Sequence, residues 1–497
     1  MMANLTPELA ALQEEIEGYA REYGLDFFET IFEVLDWKQI NEVAAYGGFP
    51  NRYRHWRFGM EYEHLSKSYE YGLSKIYEMV INNDPCYAYL LHSNHFVDQK
   101  LVMAHVYGHC DFFKNNYFFS HTNRKMMDEM ANHKTRVQRY IDRYGIERVE
   151  DFLDACISID TLIDYHAPAI TRNRPREILV NEHGDEIVPT VQKLPTSQPY
   201  MDKYVNPPEF IAAEQEKLRQ EMVHGHKHPQ NPERDVMGFL LEYAPLEGWE
   251  RDILDIVREE AYYFAPQAQT KIMNEGWASY WHSKIMTTRA LRDNELIDYA
   301  DHHSGTMAMG PQKLNPYKIG IELFRDIEDR WNKGRFGKEY TECTNMVEKA
   351  KWDRELGLGR KKIYEVRKLY NDVMFIDEYL TPEFCKEQKL FVYSYNLTNE
   401  QYEVADRAFA KIKQQLLQQL TNFGHPVISV VDANFSNRGE LLLEHQFEGV
   451  EIQMDRAREV LRQVYRIWKR PVNIQTVLSG TSKILSFDGT EHKEFRP

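Results

Sequence analysis

Two histidines, His105 and His109, lie four residues apart in the stretch AHVYGHCDF. On a helix, residues at this spacing share one face, so both imidazoles can bind one Zn²⁺ ion. Zinc hydrolases with this spacing usually carry a glutamate directly after the first histidine, but Val106 occupies that position here. The pair can therefore form a metal site, a metal site without its usual base, or ordinary packing among aromatic side chains. Gly108 would let another backbone or a ligand approach closely.

A second stretch, MNEGWASYWHSK at residues 273–284, contains Glu275 and His282. Their spacing of seven places both on one side of a helix but ~10 Å apart along its axis. One of them can therefore bind a metal ion, while the other orients a ligand or contacts the substrate. Gly276 and Ala278 make the helix thin beside the carboxylate, as a closely packed active-site helix requires. The alternative is a buried or ion-paired glutamate beside bulky aromatic residues.

Several long blocks of the chain resemble the stage V sporulation protein R (SpoVR) family. These blocks are AHVYGHCDFFKNN, FGMEYEHLSKSYEYGLSKIYEMVINNDPCYAYLL, GWERDILDIVREEAYYFAPQAQTKIMNEGWASYWH and LNPYKIGIELFRDIEDRWNKGRFG. The resemblance covers essentially the whole chain and implies a role in bacterial sporulation, stress or cell-wall physiology. It also implies two partners, an AAA+ serine protein kinase and a von Willebrand A-domain protein. It implies no particular reaction.

NEGWASY is also similar to the helix that supplies the third zinc ligand in gluzincin metallopeptidases. In that family two histidines four apart and a downstream glutamate hold the zinc. The resemblance therefore implies His105, His109 and Glu275 as metal ligands here. Because Val106 cannot accept a proton, either another carboxylate supplies the base or the site is non-hydrolytic.

Carboxylates elsewhere in the chain can replace the missing base. Glu259 and Glu260 lie in VREEAYYF, whereas Glu61 and Glu63 lie in GMEYEHL, where at most one of the two can face a site. Asp111 follows the histidine pair. Membership of the recognised blocks favours Glu260 and Glu61, although each of these carboxylates can equally be a surface or ion-paired group.

The elements that position these residues are predicted to be mainly helical. Helices are expected at about 61–82 and 98–116, and Pro266 is expected to split a long helical stretch in two. Near the C-terminus, the order β-α-β-β-α-β indicates a ferredoxin-like arrangement. The predicted fold class is α+β: a large, mainly α-helical, zincin-like domain followed by a small ferredoxin-like domain.

The predicted organisation has four parts. They are a helical part with the histidine pair (1–170), an extended arm or insertion rich in Pro, Asn and Asp (171–235), a helical part with NEGWASYWH (236–388) and a C-terminal α/β domain (389–497).

The composition argues against several classes of protein. A net charge of −16 disfavours binding to nucleic acids or to anionic membranes. The five cysteines are scattered without a CxxC motif, which excludes a cysteine zinc knuckle and fits a reducing compartment. The N-terminal stretch is an acidic amphipathic helix rather than a signal peptide, and no run approaches the ~18 apolar residues of a membrane span. We expect a cytoplasmic protein, and a homo-oligomer is compatible with these features.

Two functions are consistent with the sequence. The first is a zinc-dependent hydrolase of amide bonds, peptidase- or amidase-like, with metal ligands His105, His109 and Glu275 and catalytic residues Glu260, Glu61 and His282. The second is a catalytically inactive, metallopeptidase-like regulatory or scaffold protein acting with the kinase and the von Willebrand A-domain protein. The valine after the first histidine favours the second.

Overall fold

The computed structural model describes residues 5–71, 76–170, 205–213, 228–308, 314–396 and 401–496. Most of the predicted arm at 171–235 lies outside these residues. The chain forms two compact units, the first comprising Met1–Asp151 and Glu259–His425 and the second comprising Phe152–Arg258 and Pro426–Pro497. The first unit carries every predicted site residue. Residues 389–425, predicted as part of the C-terminal domain, belong to this first unit.

Helices dominate the described residues. In chain order they are α1 (Pro7–Glu22), α2 (Trp37–Ala45), α3 (Trp56–Glu70), α4 (Phe96–Asn115), α5 (Met126–Tyr144), α6 (Ile146–Ile157), α7 (Val236–Tyr243), α8 (Gly248–Gln269), α9 (Lys271–Ile285), α10 (Leu296–Thr306), α11 (Pro316–Lys333), α12 (Gly337–Thr341), α13 (Met346–Ala350), α14 (Gly359–Leu369), α15 (Asp372–Tyr379), α16 (Pro382–Glu387), α17 (Phe409–Leu420) and α18 (Met454–Trp468). None of these helices is both long and apolar enough to cross a membrane.

The first unit also contains a small sheet that the sequence did not indicate. Its strands β1 (Thr30–Leu35), β2 (Glu78–Ile81) and β3 (Cys86–Leu91) have the order β1-β3-β2, with β3 parallel to β1 and antiparallel to β2. The predicted helix over 61–82 is therefore wrong at its C-terminal end. The sequence of β3, CYAYLL, is buried at almost every position, so it lacks the alternation that identifies a half-exposed strand.

Three helices of the first unit pack against one another at very short range, because α9 contacts both α4 and α11. A Cβ atom on Gly108 would lie 2.6 Å from the Cα of Ala278, and one on Gly276 would lie 2.4 Å from the backbone of Gly320. The prediction that Gly108 permits close approach of another backbone is confirmed. These contacts fix the distance between α4 and α9, the two helices that carry the predicted ligands.

Replacing Gly276 with alanine is expected to lower the free energy of unfolding by about 3 kcal/mol, near the upper end of the usual cost of overpacking. The added methyl group would meet the backbone of α11, which cannot rotate away as a side chain can. Gly18→Ala is the matched control, since a Cβ there has no neighbour within 4 Å. Urea denaturation followed by fluorescence and circular dichroism measures both variants. Equal stability of the two would contradict the close packing.

Helix α8 continues through Pro266, so the predicted split at this residue is wrong. The interruption comes at Thr270, between α8 and α9. Proline removes one helical hydrogen bond and strains the preceding turn, but packing can hold the helix together despite this cost. The hydroxyl of Thr270 donates a hydrogen bond to the carbonyl of Pro266 at 2.7 Å.

The second unit contains a five-stranded sheet in its C-terminal segment. Its strands are β6 (Ile428–Phe435), β7 (Glu440–His445), β8 (Val472–Leu478), β9 (Thr481–Phe487) and β10 (His492–Phe495), in the order β10-β9-β8-β7-β6. β7 and β8 are parallel and are connected through α18, whereas the other pairs are antiparallel. The strong amphipathic pattern of α18 buries Leu461, Val464, Ile467 and Trp468.

The ferredoxin-like arrangement is not confirmed. Its predicted first strand, β4 (Val392–Asn396), pairs with β5 (Gln401–Asp406) in a separate two-stranded sheet. The order of strands and helices along a chain does not determine which strands pair. The combination of helices and sheets supports the coarser prediction of an α+β protein.

Candidate metal centre

The side chains of His105, His109 and Glu275 converge in the first unit. The Nε2 atom of each histidine lies 3.5 Å from Oε2 of Glu275. One potential ligand atom from each residue lies within 4.8 Å of the other two. Both imidazoles are buried, and the carboxylate is partly buried. The structure therefore brings the three predicted ligands to one point.

Two buried aspartates hold the helices that carry these ligands. The carboxylate of Asp372 accepts hydrogen bonds from the backbone N–H groups of Ile272 and Met273 at 2.8 and 2.9 Å, and so caps the start of α9. Asp111 on α4 accepts a hydrogen bond from Nε1 of Trp277 on α9 at 2.7 Å. Burial raises the pKa of Asp111 to about 6. These contacts fix the axial position of α9 relative to α4.

A hydrogen bond at Nδ1 orients the ring of His109. Oδ1 of Asn274 lies 2.9 Å from this nitrogen, so the amide oxygen accepts the Nδ1 proton. When His109 is neutral, its lone pair is then on Nε2, directed towards Glu275. This is the tautomer that metal-binding histidines adopt when their second nitrogen is held by a hydrogen-bond acceptor.

His105 begins a chain of three imidazoles. Its Nδ1 lies 2.9 Å from Nδ1 of His282, whose Nε2 lies 3.3 Å from Nδ1 of His303. Two assignments of protons satisfy this chain. In the first, Nδ1 of His105 donates to His282 and Nε2 of His282 donates to His303, so Nε2 of His105 keeps a lone pair facing Glu275. In the second, these donors and acceptors are exchanged, and Nε2 of His105 carries a proton. Metal binding requires the first assignment.

The donor set fits a divalent metal ion. Oε2 of Glu275 is inaccessible to solvent and has no hydrogen-bond partner among the described residues. A buried acceptor left in this state costs about 1–3 kcal/mol, and a metal ion would remove that cost. Two imidazole nitrogens and one carboxylate oxygen are a common ligand set of catalytic zinc sites.

Without a metal ion, protons compensate the charge of Glu275. Burial alone would raise the pKa of Glu275, but the imidazoles of His105 and His109 beside it bring this pKa well below its usual value. Burial lowers the pKa of His109, yet the adjacent carboxylate of Glu275 outweighs this effect and the net shift is upward. Burial and the neighbouring His109 leave the pKa of His105 below its usual value. The arrangement thus favours a carboxylate that is always ionised.

Glu78, which the sequence analysis did not single out, is a titratable group beside the triad. It begins β2, the strand that packs against α4. Burial raises its pKa to about 7. Among the smaller effects, His109 lowers this pKa and Glu275 raises it. The predicted helix over 61–82 concealed it, because a helical interpretation gives no reason to direct this residue towards the histidine pair.

Tyr317 at the start of α11 was also missed. Its ring stacks on that of His105, with a centroid distance of 6.1 Å and an interplanar angle of 24°. Burial raises the pKa of the phenol, and the charge and hydrogen bonding of Glu275 add to this effect. The motif LNPYKIG does not indicate that Tyr317 contacts His105.

The residues predicted as catalytic lie in three different environments. His282 contacts His105, as described above. Glu260 is buried in another cluster, where it accepts hydrogen bonds from Arg52 and from Tyr53 and lies 3.1 Å from Nδ1 of His133. Glu61 is exposed on α3. Their catalytic roles stay predictions.

Comparisons with known proteins agree with the resemblance identified in the sequence. Residues 4–425 match the family described as SpoVR like protein, and residues 426–479 match the SpoVR-like C-terminal domain. The boundary between the two matches coincides with the start of the C-terminal segment of the second unit. A protein of Escherichia coli (strain K12) named uncharacterized protein YcgB is 28% identical over 479 residues, which cover 91% of this chain and 89% of that protein. No solved structure matches the chain.

Proposed function

The chain belongs to the SpoVR family, and we propose that its first unit is a zinc-dependent hydrolase of amide bonds. The observation that carries this proposal is the convergence of His105, His109 and Glu275 at distances that a single ion can bridge. The family name links the chain to sporulation, and the proposed reaction suits remodelling of peptides or of the cell wall. The location that we propose is the cytoplasm, supported by five free cysteines.

A zinc ion held by the triad would lower the pKa of a bound water molecule and polarise a substrate carbonyl. Glu78 would accept a proton from the attacking water and pass it to the leaving amine, since a pKa of about 7 suits both steps. Tyr317 would donate a hydrogen bond to the carbonyl oxygen as negative charge develops there. Asn274 and His282 would keep the two imidazoles in their metal-binding orientation.

An extended peptide is the substrate class that the surroundings of the triad favour. In the described part of the chain β2 pairs only with β3, so it is the edge strand of its sheet. Edge strands present backbone groups with which an extended peptide can pair. Because Glu78 begins β2, a peptide held in this way would pass close to the proposed base.

Hydrolysis by the purified protein tests the proposal. Protein prepared without a His-tag and loaded with one equivalent of Zn²⁺ is incubated with an internally quenched peptide library and with muropeptides, and products are identified by mass spectrometry. We expect amide cleavage by the wild type and none by Glu275→Gln. Zinc-loaded wild type that cleaves none of these compounds would contradict the hydrolase.

A regulatory or scaffold protein is the second candidate, because a fully buried Val106 occupies the position of the usual glutamate. The metal ion would then have a structural or sensing role, and the partners would be an AAA+ serine protein kinase and a von Willebrand A-domain protein. Binding of these two proteins to a zinc-loaded chain that lacks hydrolytic activity would support this function. Loss of that binding in Glu275→Gln would assign the metal site to partner recognition.

A further inference from the structure

We propose that a second divalent metal ion binds in the first unit, between Glu129, His133 and Glu259. Nε2 of His133 lies 3.5 Å from Oε1 of Glu129 and 3.3 Å from Oε2 of Glu259. The three ligand atoms all lie within 4.8 Å of one another. This group shares no residue with the triad around Glu275, and the inference does not depend on the hydrolase.

Two helices provide the ligands. Glu129 and His133 are four residues apart on α5 and so occupy one face, as two ligands of one ion must. Glu259 comes from α8. Its other oxygen, Oε1, lies 3.5 Å from Nδ2 of Asn123, which helps to direct Oε2 towards the histidine.

A buried carboxylate orients His133 for metal binding. Nδ1 of His133 lies 3.1 Å from Oε1 of Glu260, and Glu260 is itself held by Arg52 and Tyr53. This carboxylate–histidine contact is the one that usually fixes the tautomer of a metal-bound imidazole. With the proton on Nδ1, the Nε2 lone pair faces two carboxylate oxygens. That arrangement is repulsive unless a positive charge lies between the three atoms.

The charges around the site leave one negative charge to be compensated. Three carboxylates, from Glu129, Glu259 and Glu260, meet two guanidinium groups: Arg52, and Arg136 at 4.0 Å from Glu129. A neutral His133 therefore leaves a net negative charge at the site. In the metal-free protein burial lowers the pKa of His133, but Glu259 and Glu260 raise it to about 9, so a metal ion must displace this proton.

The site is accessible from solvent on one side. The side chains of Glu129 and Glu259 are 30% and 39% exposed, whereas His133 is fully buried. An ion can therefore enter past the carboxylates and keep water molecules as further ligands. Two carboxylates and one imidazole suit first-row dications such as Mn²⁺ and Zn²⁺.

Titration with Mn²⁺ followed by electron paramagnetic resonance tests the proposal. The experiment uses the full chain carrying Glu275→Gln, which removes a ligand of the triad and leaves the second group intact. We expect one equivalent of Mn²⁺ to bind. Adding Glu259→Gln or Glu129→Gln should weaken binding at least tenfold. Asp128→Asn, an exposed neighbour on α5, removes one negative charge without removing a ligand and should leave the affinity within about twofold, as i,i+1 residues face apart.

Two results would overturn the proposal. One is the absence of bound Mn²⁺ in a Glu275→Gln protein that circular dichroism shows to be folded. The other is equal weakening by Glu259→Gln and Asp128→Asn, which would indicate general attraction of cations to an acidic surface. Both glutamate replacements are at partly exposed side chains, so they test binding without disturbing the buried histidine.

Discussion

Glu275→Gln is expected to weaken Zn²⁺ binding at the triad by more than about a hundredfold. Loss of a group that only orients a ligand typically costs about 10–100-fold in affinity, and Glu275 is proposed to bind the ion directly. The amide has nearly the same shape as the carboxylate but lacks its charge, so the packing of α9 is preserved. Elemental analysis after dialysis should show one equivalent of zinc fewer than in the wild type, and competition with a chromophoric chelator gives the change in affinity.

Glu63→Gln is the matched control for this experiment. Glu63 is exposed on α3 and pairs with Lys67 at 2.6 Å, so its replacement removes the same charge from the surface. We expect it to retain the zinc content of the wild type. A Glu275→Gln protein that keeps the same zinc content and affinity as Glu63→Gln would show that the carboxylate is not a ligand.

Glu78→Gln is expected to lower kcat/KM for amide hydrolysis by about 10²–10⁴-fold, the usual contribution of a general base. Zinc content should remain unchanged, because Glu78 is not one of the three ligands. A base must be deprotonated before it acts, so wild-type activity should rise with pH. The metal-free pKa is about 7, and a nearby dication lowers it, so the rise should centre at or below pH 7. The variant should lose this rise.

The pH profile separates a catalytic carboxylate from a structural one. A structural role would reduce stability or zinc content and leave the shape of the remaining profile unchanged. Wild-type kcat/KM and pH profile in Glu78→Gln would rule out this residue as the base. The predicted alternatives Glu260 and Glu61 would then be the next carboxylates to replace.

The convergence of His105, His109 and Glu275 was predictable from sequence because its signal is local. Two histidines four apart identify a helix face by themselves, and Glu275 lies in a stretch of small and aromatic residues that predicts a closely packed helix. The close packing was also visible in the sequence, because Gly108 and Gly276 are the residues at which the helix backbones come into contact. The structure brings together the three side chains from these stretches, which are separated by about 165 residues of sequence.

The surroundings of the site were not predictable, because their signals are not local. Glu78 reaches the triad through a short edge strand, and four residues are too few to display a reliable period. Asp372 lies on a helix that is distant in sequence and caps the start of α9. A pattern of nearby residues cannot predict such a contact. The motif around Glu260 predicts a catalytic carboxylate, but its partners Arg52, Tyr53 and His133 come from elements remote in sequence. The pairing of β4 with β5 likewise depends on tertiary structure.

Crystals of the zinc-loaded wild type, measured at the zinc absorption edge, test the central claim most directly. We expect an anomalous peak bonded to Nε2 of His105, Nε2 of His109 and the carboxylate of Glu275, at about 2.0–2.2 Å from each atom. A structure in which these side chains contact separate neighbours, or in which zinc occupies other sites while this one stays empty, would contradict the account.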